Sequence, residues 1–228
     1  MNESKNNNDI AVKPFLRWAG GKRWLLKEIE KFLPKKGFNQ YHEPFLGGGS
    51  VFFHFLHQPS YLSDLNKDLI DTYLAVKHDI DNVIKHLKSF KNTKEDYYRI
   101  RNQQFRIPSK RAAQFIYLNH TSFNGIYRVN KKGKYNVPYG ERKNIVFDYK
   151  NLQNAHTVLQ NTKLKNQDFW TSLNNVQEGD LVFLDPPYTV THNNNGFIEY
   201  NQKLFSLEQQ YQLAEMIKEI KRRKAFYI

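Results

Sequence analysis

The chain has 228 residues, 39% of them hydrophobic and 25% charged, enough for one large domain, or a domain carrying an insert, around a core that needs no staples. It holds no cysteine, which excludes disulfides, thiolate metal sites and cysteine nucleophiles. No apolar run nears ~18 residues, which excludes a helical membrane span, and the polar start at residues 1–13 is no signal peptide, so the chain reads as cytoplasmic.

The net charge of +13 is unevenly spread. Residues 85–150 hold 16 Lys+Arg against 4 Asp+Glu, while residues 1–84 hold 11 against 10 and residues 151–228 hold 8 against 8. Charge concentrated in this way points to a polyanion partner for the middle segment. A solvated helical face would carry the same charges.

In chain order, Trp18-Ala19-Gly20-Gly21-Lys22-Arg23 looks like part of a phosphate loop, but Leu16 stands in the first glycine position and Arg23 in place of Ser/Thr. Trp18 could stack on a nucleoside carrying a carboxylate and Lys22 could pair with it; a surface loop with one packed tryptophan is the plainer alternative. Tyr41–Phe45 reads as a strand that runs into the glycine loop Gly47-Gly48-Gly49, with an apolar helix from Val51. Small residues let a ligand approach the backbone, and a helix start offers free N–H groups. Phe52 occupies the third glycine position of a dinucleotide fingerprint, and a glycine loop alone can be merely a tight turn. A second strand, Tyr61–Ser63, ends at Asp64. That carboxylate can accept from ribose hydroxyls, or cap a helix beginning at Leu65.

Residues 69–119 read as mostly helical, with Tyr97, Ile100, Phe105, Phe115 and Leu118 buried, and residues 120–140 as a hairpin turning at Lys132-Gly133. Leu181–Leu184 is an unbroken apolar run, which suits a parallel strand covered on both faces; Pro186 and Pro187 stop it. Ser206 and Gln209 form a capping box for a helix with Leu207, Tyr211, Ala214, Met216 and Ile217 on its apolar face. Ala225–Ile228 begins another strand. Asn193–Asn195 reads as a loop. His54 and His57 lack matching ligands at metal spacing, so no metal site is expected. Glu219-Ile220-Lys221 reads as solvated charge on a helix.

Asp185-Pro186-Pro187-Tyr188 is the sharpest signal. It places a carboxylate, a carbonyl and an aromatic face in one rigid turn at a strand end. The amino group of a nucleobase is a poor nucleophile because its lone pair is delocalised into the ring. Two acceptors, Asp185 and the Pro186 carbonyl, can hold its hydrogens and stabilise the positive charge that develops on attack. Tyr188 can stack on a base that has left the duplex. A strand-ending turn with a capping Asp is the alternative.

Taken together and in this order, RWAGGKR, EPFLGGGS, SDLN, the FNGIYRVN and YNVPYG of Phe123 to Gly140, and DPPY resemble the Dam-like DNA adenine N6-methyltransferases (alpha arrangement, D12 class), from about Pro14 onward. The resemblance implies an α/β fold: a Rossmann-like, S-adenosylmethionine-dependent methyltransferase sheet formed by residues 1–69 and 151–228, with an inserted helical and hairpin target-recognition domain at 70–150. It implies S-adenosylmethionine as cofactor, bound by Trp18, Lys22, Phe45, Gly47, Gly49, Asp64, Asp168 and Asp185. It implies catalysis by Asp185, Pro186 and Tyr188, and contact with double-stranded DNA through Phe123, Asn124, Ile126, Arg128 and Pro138. Arg128 suits guanine in the major groove, and Lys131, Lys132 and Lys134 suit phosphates.

The implied product is N6-methyladenine, in GATC, made by a monomer whose genetic partner could be a restriction endonuclease. The family's sheet runs on past the place of Ile228, so closing strands are expected to be missing here, and activity could be lost with them. A non-catalytic DNA-binding module and an N4-cytosine methyltransferase are the rivals; relatives of the latter kind usually begin the tetrapeptide with serine.

Overall fold

A computed structural model of the chain describes residues 11–130, 132–142, 144–187 and 205–228. After the short helix α1 (Leu26–Glu30) come β1 (Tyr41–Glu43), the single turn α2 (Phe52–Phe55) and β2 (Ser60–Asp64). Four helices follow: α3 (Lys67–His78), α4 (Ile80–Lys88), α5 (Lys94–Asn102) and α6 (Pro108–Thr121). The chain then forms the hairpin, α7 (Tyr149–Leu159), β3 (Thr162–Asn166), β4 (Leu181–Val182), α8 (Leu207–Arg222) and β5 (Phe226–Tyr227).

The strands lie in the order β3-β2-β1-β4-β5, all parallel. The chain builds outward from β1 to β3, then crosses back to place β4 on the other side of β1. Strand order reverses between β1 and β4, and in open parallel sheets that switch point opens a crevice at the carboxyl ends of the strands. Tyr41, His42 and Glu43 are all buried, as a central strand covered on both faces requires.

Side-chain caps start four of the described helices. Asn66 accepts from Leu69 N at the head of α3, Thr93 from Asp96 N at α5 and Asp148 from Asn151 N at α7. The Ser206–Gln209 capping box forms as its sequence predicts. Leu181–Leu184 also behaves as one extended unit, since Phe183 N donates to His42 O and Leu184 N to Ile228 O beyond the short ladder.

Four details differ from the sequence reading. The helix from Val51 is one turn, stopped by the left-handed backbone of Leu56. On α8, Leu207 and Tyr211 are exposed while Met216 and Ile220 are buried, so the inward face lies nearer the helix's C-terminal half. Tyr97, Ile100 and Leu118 are buried as expected, but Phe105 and Phe115 are half-buried. Helix α7 and strand β3 had no sequence assignment. In β3 the outward Lys163 and Lys165 alternate with the buried Thr162 and Leu164, which is how a strand at a sheet edge avoids pairing with strangers.

The larger core joins the sheet to α3, α4 and α6 without interruption; a smaller one gathers Phe169, Leu173, Val182, Phe205, Met216 and Ile220 beneath α8. Among the described residues no helix is long and apolar enough to cross a membrane.

Candidate active site

A cleft of about 500 Å³ opens where β1 and β4 end, lined by Trp18, Lys22, Glu43, Phe45, Gly47, Asp64, Asp168, Asp185 and Pro186 among others. Five segments far apart in sequence supply these residues, the first being the N-terminal stretch that carries Trp18 and Lys22. The loop after β1 carries Phe45 and Gly47, the end of β2 gives Asp64, the segment after β3 gives Asp168, and the end of β4 gives Asp185.

Gly47 has φ +50°, and a Cβ there would stand 2.8 Å from Trp18 Cδ1. Glycine is needed on both counts, left-handed backbone and contact with the indole. The Trp18 ring therefore lies on the glycine loop. Gly49, also expected at the cofactor, instead turns toward the core, where a Cβ would press on Phe53 and the Tyr73 hydroxyl; it is not among the cleft's lining residues. Its positive φ makes the turn that Gly47 and Gly48 need.

Asp64 Oδ2 accepts from Gly47 N at 2.9 Å and Oδ1 from Asn66 N at 2.8 Å. Asn66, not Asp64, caps α3. Burial raises the Asp64 pKa, and the N–H groups of Asn66, Gly47 and Leu65 partly oppose it. Asp168 accepts from Thr171 N at 3.0 Å and Thr171 Oγ1 at 2.7 Å. Burial pushes its pKa up, but the Thr171 hydrogen bonds and neighbouring N–H groups outweigh that and hold it below the usual value. Phe45, Phe169 and Phe205 form an aromatic flank with centroids 5.2–6.1 Å apart.

Lys22 Nζ lies 2.6 Å from Asp185 Oδ1 and 2.8 Å from Oδ2, with the two side chains only 14% and 28% exposed. Nζ also donates to Gly20 O at 2.8 Å. The N-terminal motif and the strand-end tetrapeptide thus meet in one ion pair. Tyr188 lies outside the described residues, as do Asn193–Asn195 and Lys131.

Glu43 was not singled out in the sequence, yet it is 3% exposed at the floor of the cleft. Its Oε2 accepts from the Tyr41 hydroxyl at 2.8 Å and Phe52 N at 3.1 Å. Burial, together with the nearby Asp185 and Asp64 charges, pushes its pKa up to about 8 against those two hydrogen bonds. The signal was present, an acid inside a run that becomes a buried strand, but only burial shows it.

The hairpin stands beside the cleft. It is pinned by the Val129–Tyr135 and Ser122–Tyr139 bridges, by Phe123 N donating to Pro138 O and by the Tyr135 hydroxyl donating to Ile126 O at 2.7 Å. Phe123 is 50% exposed; Asn124 and Pro138 are also exposed, and Ile126 and Arg128 half-buried. Arg128 Nε donates to Asn136 Oδ1 at 2.8 Å, which orients the guanidinium. Asn119 fastens the hairpin's start to the N-terminal segment through Arg17 N and Arg17 O.

A switch-point cleft on a parallel sheet, carrying an acid-proline turn and a glycine loop, defines a methyltransferase-like α/β protein with an added helical and hairpin insert. Comparison with known proteins narrows this. The family model described as D12 class N6 adenine-specific DNA methyltransferase matches residues 18–228. The type II methyltransferase M.MjaIII of Methanocaldococcus jannaschii is 40% identical over 95% of this chain and 83% of its own length. M1.LlaDCHI of Lactococcus lactis is 35% identical over 96% and 81%, and a DNA adenine methylase of Haemophilus influenzae 35% over 95% and 78%. The chain belongs to the D12 class of N6 adenine-specific DNA methyltransferases, and it is an adenine-specific DNA methyltransferase by that membership.

Proposed function

We propose that this chain methylates N6 of an adenine flipped out of duplex DNA, with S-adenosylmethionine as donor and GATC as target. The observation that carries the reading is the convergence of Asp185 and Pro186 with Trp18 and Asp64 on one cleft at the switch point. The donor set fits the cofactor. Carboxylates at Asp64 and Asp168 suit hydroxyl and amine hydrogens, the Phe45–Phe169–Phe205 flank suits an adenine ring, and the volume lies within the range of small-molecule sites. S-adenosylmethionine, when bound, supplies a methyl group on a positively charged sulfur.

The chain's own residues do the rest. Asp185 and the Pro186 carbonyl accept the two N6 hydrogens of the flipped base and so counter the charge that develops on that nitrogen. Lys22 fixes the Asp185 carboxylate in one orientation. Tyr188, next in sequence, stacks on the base. Residues 70–150 form the target-recognition part, in which Phe123, Asn124, Ile126, Arg128 and Pro138 meet the duplex and Arg128 reads guanine. The nearby lysines hold phosphates.

The test is transfer of labelled methyl to a synthetic GATC duplex, beside duplexes with GATC scrambled or already N6-methylated. Label only on the unmethylated GATC duplex, recovered as N6-methyladenine, is expected. Label on cytosine, or none with cofactor and duplex saturating, overturns the reading.

A further inference from the structure

Two cavities meet at the hairpin. The second, about 510 Å³, is lined by residues of α3, α5, α6 and the hairpin, and Tyr127 and Val129 line both it and the active-site cleft. The Tyr127 ring lies 5.7 Å from Trp18 at 24° and 5.1 Å from Phe115. Its hydroxyl donates to Asp68 Oδ2 at 3.1 Å. A residue of the recognition hairpin therefore touches two walls of the cleft. One is Trp18, which itself rests on Gly47 and Gly48. The other is the first turn of α3, whose cap Asn66 is bonded to Asp64. Arg128 is the next residue along the hairpin.

We propose that Tyr127 is a positioning residue that ties the cofactor cleft to the recognition hairpin, so that filling the cleft and seating the hairpin on duplex DNA favour one another. This rests on the function proposed above. The physical argument is short. An aromatic stack and a hydrogen bond each have a preferred geometry. A ligand that orders Trp18 and Asp64 restricts Tyr127, and Tyr127 restricts the backbone that aims Arg128. By linkage the effect must be equal in both directions. Neither Trp18 nor Asp68 belongs to the basic segment, and among the contacts described above Tyr127 alone runs from the hairpin to both.

The test measures binding, with no turnover. The affinity of a GATC duplex is determined without and with saturating S-adenosylhomocysteine, and the affinity of S-adenosylhomocysteine without and with duplex. The wild type is expected to show at least about fivefold mutual tightening. Tyr127→Leu is expected to bring that factor near one while each ligand still binds alone. Tyr139→Leu, which loosens the same insert where the Tyr139 hydroxyl bonds Asn92, is expected to leave the factor unchanged. If Tyr127→Leu does not fold, Tyr127→Phe decides: it keeps the ring, loses the Asp68 bond, and is expected to at least halve the factor.

A wild-type factor near one, with both ligands bound, overturns the proposal and leaves the proposed function standing. So does an unchanged factor in the deciding variant, or an equal fall in Tyr139→Leu. Failure of the wild type to bind either ligand overturns both readings.

Discussion

The cleft has two sides built by different means. On the sheet side, the proposed reactive groups follow parallel strands, and their surroundings are held by a backbone bond, Leu46 N to Ser63 O, and by buried or half-buried bonds between backbone and side chain, Gly47 N to Asp64 and the Tyr73 hydroxyl to Gly47 O. On the hairpin side, two isolated bridges, a few backbone bonds such as Asn136 N to Arg128 O and some side-chain bonds hold the chain, and the base exposes Phe123, Asn124 and Pro138. The difference in exposure matches the two tasks proposed above. Charge stabilisation needs acceptors fixed before the substrate arrives, whereas reading a duplex tolerates, and gains from, a surface that adjusts on contact.

The comparison can be broken most directly at Asp185. Asp185→Ala is expected to lower methyl transfer by about 10²–10³-fold in single-turnover assays while thermal melting moves little; activity within tenfold of wild type would remove the sheet side's claim to the chemistry. Arg128→Ala should act on the other side alone. It is expected to cost about 1–3 kcal/mol of discrimination against a guanine substitution with cofactor affinity unchanged, read by competition binding with altered duplexes.

Glu43→Gln sharpens the sheet side. The folded state binds the Glu43 proton more tightly than the unfolded chain, with a pKa of about 8 against an ordinary 4.5. Its contribution is therefore full below about 4.5 and is lost as pH rises through about 8. Removing it should flatten the fall of stability across that window by up to ~1.4 kcal/mol per pH unit, as measured by denaturant unfolding at stepped pH. The smallest effect is expected at Lys134→Ala on the hairpin, where the slope of log affinity against log salt should fall by about 0.9 with sequence preference intact.

Much of the cleft was legible because its motifs are local. A glycine loop, an acid at a strand end and an acid-proline turn each announce a strand terminus, and parallel topology brings such termini together. The contacts made through space were not legible. Lys22 and Asp185 stand 163 positions apart, and nothing in either motif names the other. Tyr127 read as one more hairpin aromatic, and its place on Trp18 depends on how the insert folds back. Strand β3 escaped because its lysines hide the alternation, and Leu207 and Tyr211 misled because a helical repeat marks a face without saying how much of it is covered. Gly49 is a motif position whose left-handed backbone and core-facing side show only in the folded chain.

The packing of α6 along α3 sets a limit on how this protein can be re-engineered or diversified. Ala112, Ala113, Ile116 and Tyr117 of α6 share a single interior with Leu69, Ile70, Tyr73 and Val76 of α3. A recogniser borrowed from a relative is therefore no detachable cassette. It must arrive with helix partners matched to α3, or the graft will unsettle the very scaffold that presents the carboxylates of the cleft.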